Sequence, residues 1–132
     1  MRVLVTGSRD WTGVYGESKI YMVLNMLLAF CEVLGQKLTI VHGDGPGADQ
    51  TIDAWAVRRE DAGVTVERHP ASWRTVLGKG AGPVRNREMV NLGADMCIGF
   101  LKDASRGTTI TLELAREAGI PTFTVHWQEE RE

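Results

Sequence analysis

The chain has 132 residues, 43% of them hydrophobic and 24% charged, which is the size and composition of one domain, residues 1–132, around one core. A net charge of −2 excludes the overall basic field that grips nucleic acid, so a nucleic-acid partner is not expected. The longest mainly apolar stretch, residues 20–34, contains Asn25 and Glu32 and is too short to cross a bilayer, so no membrane role is read.

Two cysteines, Cys31 and Cys97, sit inside apolar patterns without metal-ligand spacing. They read as buried reduced thiols, which fits a cytoplasmic protein. The apolar pattern starts at residue 3, so no secretory leader is expected.

Val3, Leu4, Val5 and Thr6 form an unbroken apolar run, the mark of a central parallel strand covered on both faces. Gly7, Ser8 and Arg9 follow at its carboxyl end, the edge where open α/β sheets bind ligands. Ser8 offers a hydroxyl there, and Arg9 a planar fork suited to phosphate or carboxylate. Residues 12–18 read as a connecting loop. A helix over residues 17–34 carries Ile20, Val23, Leu24, Leu27, Cys31 and Leu34 on one stripe. Met22, Met26, Phe30 and Val33 widen its apolar face beyond one contact surface. Either this helix is wedged deeply into the core, or its surplus face meets a second copy of the chain.

After a second strand over residues 38–41 comes the stretch His42, Gly43, Asp44, Gly45, Pro46, Gly47, Ala48 and Asp49. Glycines let the backbone approach a ligand closely, and the helix that follows presents unpaired N–H groups at its positive end. The stretch is an anion pocket or a tight turn; its spacing matches neither G-x-G-x-x-G nor the P-loop pattern. The helix runs over residues 48–62 with Ile52, Trp55 and Ala56 inward, and Asp49 in its first turn either caps the helix or meets the ligand. Residues 64–68 alternate apolar and polar, as an edge strand does. Trp11 and Trp73 either stack a base or plug local gaps.

Residues 77–82 contain three glycines and Lys79, and Pro83 stands where a helix opens. Gly82, Arg85 and Asn86 thus mark a second anion site. Arg85 and Arg87, two apart, cannot share a helix face, and Arg85 is the one assigned to the site. Residues 95–101 form another apolar, central strand. The loop after it leads through Ser105, Gly107 and Thr108 into a helix ending near residue 118, a third arrangement of amides and hydroxyls at a helix start. Residues 122–125 alternate again, as a second edge.

Strands and helices alternate, so the expected fold is α/β: a Rossmann-like three-layer αβα sandwich on a mainly parallel five-stranded sheet of order 3-2-1-4-5. That order places the three glycine-rich strand ends along one rim, beside the switch point between the first and fourth strands. His42, His69 and His126 also fall at strand ends, but those of the third and fifth strands lie at opposite edges, so no shared metal is read. No cofactor signature is found.

The blocks Gly7-Ser8-Arg9-Asp10, Gly43 through Gly47-Ala48-Asp49, Gly82-Pro83-Val84-Arg85-Asn86 and Ser105-Arg106-Gly107-Thr108 resemble, in order, the signature blocks of the YspA-like, cpYpsA-related branch of the SLOG superfamily. The resemblance implies a Rossmannoid domain that binds nucleotides or nucleotide-derived ligands at these blocks. Distant relatives include the LOG phosphoribohydrolases and the DNA-processing protein DprA. LOG enzymes carry P-G-G-x-G-T followed closely by a catalytic glutamate. Here the corresponding run, residues 104–111, has no carboxylate in the three positions after Thr108, and Glu113 falls on another part of the helix surface. Asp44, Asp49 and Glu88 are the substitutes on offer. The expected function is therefore binding or sensing of a phosphorylated nucleotide-like ligand. A LOG-like hydrolase of the N-glycosidic bond is the alternative, and DprA-like single-stranded DNA binding ranks third.

Overall fold

A computed structural model describes residues 1–71, 81–103 and 105–127. The apolar run at the N-terminus forms β1 (Arg2–Gly7), followed by α1 (Gly13–Val33), β2 (Leu38–His42), α2 (Ala48–Val57), a short 3-10 turn (Glu60–Ala62) and β3 (Val64–Arg68). Then come α3 (Ala81–Asn91), β4 (Met96–Lys102), α4 (Arg106–Glu117) and β5 (Thr122–Trp127). All four strand pairings are parallel and the order is β3-β2-β1-β4-β5, the expected 3-2-1-4-5. β1 is flanked by Thr39–Val41 of β2 on one side and Met96–Phe100 of β4 on the other.

Successive strand residues point to opposite faces, and β1 shows the consequence. Val3 and Val5 enter the layer formed by α1 and α2, with Ile20, Leu24, Ile52 and Trp55. Leu4 enters the opposite layer with Met89 and Val90 of α3 and Leu112 and Ala115 of α4. Cys97 is buried in that second layer, and burial pushes its thiol up to about 12.

Several boundaries differ from the sequence reading, three of them by more than one residue at a place that shapes the packing. α1 starts at Gly13, so most of the expected loop over residues 12–18 is helical. Gly16 makes this fit: Trp11 and Trp127 pack so closely against it that an added Cβ would lie 2.9 and 2.8 Å from their rings. α2 ends at Val57 rather than residue 62. A fifteen-residue helix would run about 22 Å, overshooting a five-residue strand of about 17 Å, and the 3-10 turn brings the chain back to β3. β5 extends to Trp127, which puts His126 inside the strand.

α1 is not wedged deeply. Ile20, Leu24, Leu27 and Cys31 face the core, while Met22, Met26, Phe30 and Val33 stand 50–85% exposed on the other side, and Leu34 is exposed as well. Among the described residues no helix is long and apolar enough to cross a membrane.

Candidate functional site

The carboxyl ends of β1, β2 and β4 open into a cleft of about 980 Å³ beside the β1–β4 switch point, walled on the far side by the start of α3. Gly7 and Arg9 reach it from β1, Gly43, Asp44 and Asp49 from the β2–α2 turn, and Gly82, Arg85 and Asn86 from α3. Ser105, Gly107 and Thr108 complete it from α4. Three expected site residues are not on its lining. Ser8 is 1% exposed and its hydroxyl is engaged within the fold, accepting the Lys102 amide at 2.9 Å and donating to the Phe100 carbonyl at 3.3 Å. Ala48 is fully buried and Gly47 half-buried, and the Ala48 N–H donates to the Ser8 carbonyl at 3.3 Å. These three knot β1, β4 and α2 together rather than facing a ligand.

The β2–α2 stretch, read as an anion pocket or a tight turn, has two of its amides bonded within the chain. The Asp44 amide donates to His42 Nδ1 at 2.9 Å, and the Gly45 amide to Asp49 Oδ2 at 3.0 Å. Because Nδ1 accepts, His42 carries its proton on Nε2 and donates it to Asp53 Oδ1 at 2.7 Å. His42 is fully buried and acts as the peg of the turn. Gln50 Nε2 closes the other side on the Gly45 carbonyl at 2.9 Å. The helix therefore supplies its own anion, Asp49, at its N-terminus. Burial pushes the Asp49 carboxyl above its usual range; the Gly45 amide, His42 and Arg85 oppose the rise without cancelling it, and Asp44 adds to it.

Arg85 also has a structural share. Its guanidinium lies flat over Gly43, where a Cβ would sit 2.6 Å from Cζ, so only glycine admits this approach. Nη1 donates to the Gly43 and His69 carbonyls and Nε to Asn86 Oδ1. Burial lowers its proton affinity, Asp49 raises it, and the charge of Arg9 across the cleft lowers it again. An anion between Arg85 and Arg9 relieves that repulsion.

The start of α4 is different. Its N-cap Ser105 makes no side-chain cap, its hydroxyl instead donating to Thr108 Oγ1 at 3.4 Å. The amides of Arg106, Gly107 and Thr108 have no intrahelical acceptor by geometry, and the space above Gly107 is open. This helix start thus presents amides without an intrahelical acceptor to the cleft, whereas the Asp44 and Gly45 amides of the turn after β2 are bonded within the chain.

The lining also holds residues that the sequence reading did not assign. Lys102 and Asp103 enter from the end of β4, and Asp10 from the loop after β1. Asp44 and Asp103, with φ of 53° and 51°, are the non-glycine left-handed residues among those described, and both border the cleft. Among the described lining residues Arg9, Arg85 and Lys102 stand against Asp10, Asp44, Asp49 and Asp103. Trp11 stacks no base: it is fully buried between Phe100 and Trp127, its indole N–H donating to the Gly16 carbonyl at 2.8 Å. Trp73 and Lys79 lie outside the described residues.

The model of the YspA, cpYpsA-related SLOG family matches residues 1–75. Gene 61 protein of Mycobacterium phage D29 is 41% identical over 124 residues, spanning 92% of this chain and 94% of that protein. Among solved structures, the C-terminal domain (residues 78–226) of PF1911 hydrogenase from Pyrococcus furiosus aligns with a TM-score of 0.49 at 20% identity, over 93% of this chain and 88% of that one. A second structure of that domain gives 0.44 at 17% identity, over 94% and 90%. With its glycine-rich blocks gathered on one rim, a family match over more than half its length and a phage relative aligned almost end to end, the chain belongs to the YspA, cpYpsA-related SLOG family.

Proposed function

We propose that the cleft binds or senses a nucleotide or nucleotide-derived ligand through one phosphate group at the α4 N-terminus. The observation that carries this reading is the uncapped first turn of α4, opening on the cleft with Arg85 and Arg9 on its other sides. The four carboxylates of the described lining outnumber its three cations, which disfavours a polyanion such as single-stranded DNA. Mass spectrometry of small molecules released from the purified, denatured protein tests the reading. A stoichiometric phosphorylated nucleoside supports it; a metabolite without phosphate contradicts it.

A hydrolase acting on the N-glycosidic bond is the second reading, favoured by the carboxyls of Asp44 and Asp49 inside the same cleft. Glu88, exposed on α3, is not among the lining residues and drops out as the acid. Free base released from AMP by the wild type, and not by an Arg85→Ala variant, distinguishes a hydrolase from a pure binder.

A further inference from the structure

Asp49 is 8% exposed and lies on the cleft wall, yet only one of its carboxyl oxygens is engaged. Oδ2 accepts the Gly45 amide, which is all that capping the turn requires. Oδ1 is buried without a hydrogen-bond partner among the described residues. A buried acceptor in this state is costly, and native structures seldom keep one without a reason. Arg85, whose charge acts on this carboxyl, directs its guanidinium to the carbonyls of Gly43 and His69 and to Asn86. Burial, which raises the carboxyl's proton affinity, adds to the cost of holding it there.

A carboxyl oxygen takes hydrogen-bond donors and repels phosphate, so Asp49 addresses a neutral part of the ligand. Asp49 is deep beside the strand ends, whereas Asp10, Asp44 and Asp103 are exposed. A deep group meets the part of the ligand next to the phosphate, and in a nucleotide that part is the sugar. We infer that Asp49 Oδ1 accepts a hydrogen bond from a ribose hydroxyl, making the cleft selective for ribonucleotides over their deoxy counterparts. The inference rests on the phosphate site proposed above, and its test separates the two.

The test is calorimetric titration of the protein with AMP, GMP, CMP and UMP and with the 2′-deoxy and 3′-deoxy form of each. For the best-bound ribonucleotide, removing one of the two hydroxyls is expected to weaken binding by about tenfold or more. Asp49→Asn keeps the shape and the Gly45 bond but replaces Oδ1 with an amide that cannot accept, so the gap should close to within about threefold. Equal binding of the ribo and both deoxy forms by the wild type, or a gap unchanged in Asp49→Asn, overturns the inference. Gly107→Asp, which sets a negative charge at the α4 N-terminus where the added side chain has open space, distinguishes the outcomes. If ribo and deoxy forms bind alike and Gly107→Asp abolishes both, the phosphate site stands and the role of Asp49 falls. If no mononucleotide binds, both fall.

Discussion

Gly47→Ala is expected to destabilise the fold by about 3 kcal/mol or more. Gly47 has φ 79° and ψ −122°, a conformation that costs an alanine about 1–3 kcal/mol. Its added Cβ would overlap the Arg9 carbonyl oxygen and lie 2.6 Å from the Ser8 carbonyl oxygen. Both obstacles are main chain, so relief requires moving the loop after β1 away from α2. That motion breaks or stretches the bonds that Ala48 and Trp11 N–H make to the Ser8 carbonyl, at 3.3 and 3.2 Å, each worth about 0.5–1.5 kcal/mol. For 132 residues the unfolding entropy is about 0.28 kcal/mol per kelvin, so melting should fall by about 10 °C. Thermal circular dichroism measures it, with Gly107→Ala as the control. There an added Cβ meets no heavy atom within 4 Å, and no loss of stability is expected. A Gly47→Ala protein melting within about 3 °C of the wild type would refute the view that this glycine welds the two loops into the floor of the cleft.

Asp49→Asn should melt higher than the wild type at pH 7. The folded chain holds the Asp49 proton more tightly than the unfolded chain does, so Asp49 favours folding below the ordinary carboxylate range near about 4 and loses that advantage as pH rises through its raised folded value. The gain of Asp49→Asn should shrink as the pH is lowered toward about 4; a constant gain speaks against buried charge as its cause. Arg85→Ala removes both the clamp on Gly43 and one cleft cation, and affinity for a bound nucleoside monophosphate should drop about tenfold or more. Unchanged affinity would remove Arg85 from the site. We also propose that the exposed Met22, Met26, Phe30 and Val33 stripe of α1 pairs with a second copy of the chain. Met26→Glu should then shift sedimentation from dimer to monomer, and a wild type that sediments as a monomer at about 100 µM contradicts the pairing.

The strand order was legible because the apolar runs differ in kind. Val3–Thr6, Leu38–Val41 and Met96–Leu101 are nearly unbroken since helices cover both their faces, whereas Val64–Arg68 and Thr122–Val125 alternate because they are edges. The rim of the cleft was legible from glycines at strand ends. How the donors on that rim are used was not. Glycine spacing reports where the backbone approaches closely, but whether the Asp44 and Gly45 amides are available depends on the positions of the His42 ring and the Asp49 carboxyl. Ser8 was read as a ligand hydroxyl for the same reason: its position at a strand end is visible in the chain, while its bonds across to β4 are not. Lys102 and Asp103 were passed over because the fourth strand was ended at residue 101; the signal was a Lys-Asp pair just ahead of a Gly-Thr helix start.

The most direct test of where the anion goes is to follow backbone amides by ¹⁵N NMR during titration with a nucleoside monophosphate. Saturable shifts are expected at Arg106, Gly107 and Thr108, with the amides of Asp44 and Gly45, already bonded to His42 and Asp49, moving little. Large shifts at Asp44 and Gly45 with the start of α4 unmoved would place the phosphate in the β2–α2 turn instead and contradict this expectation.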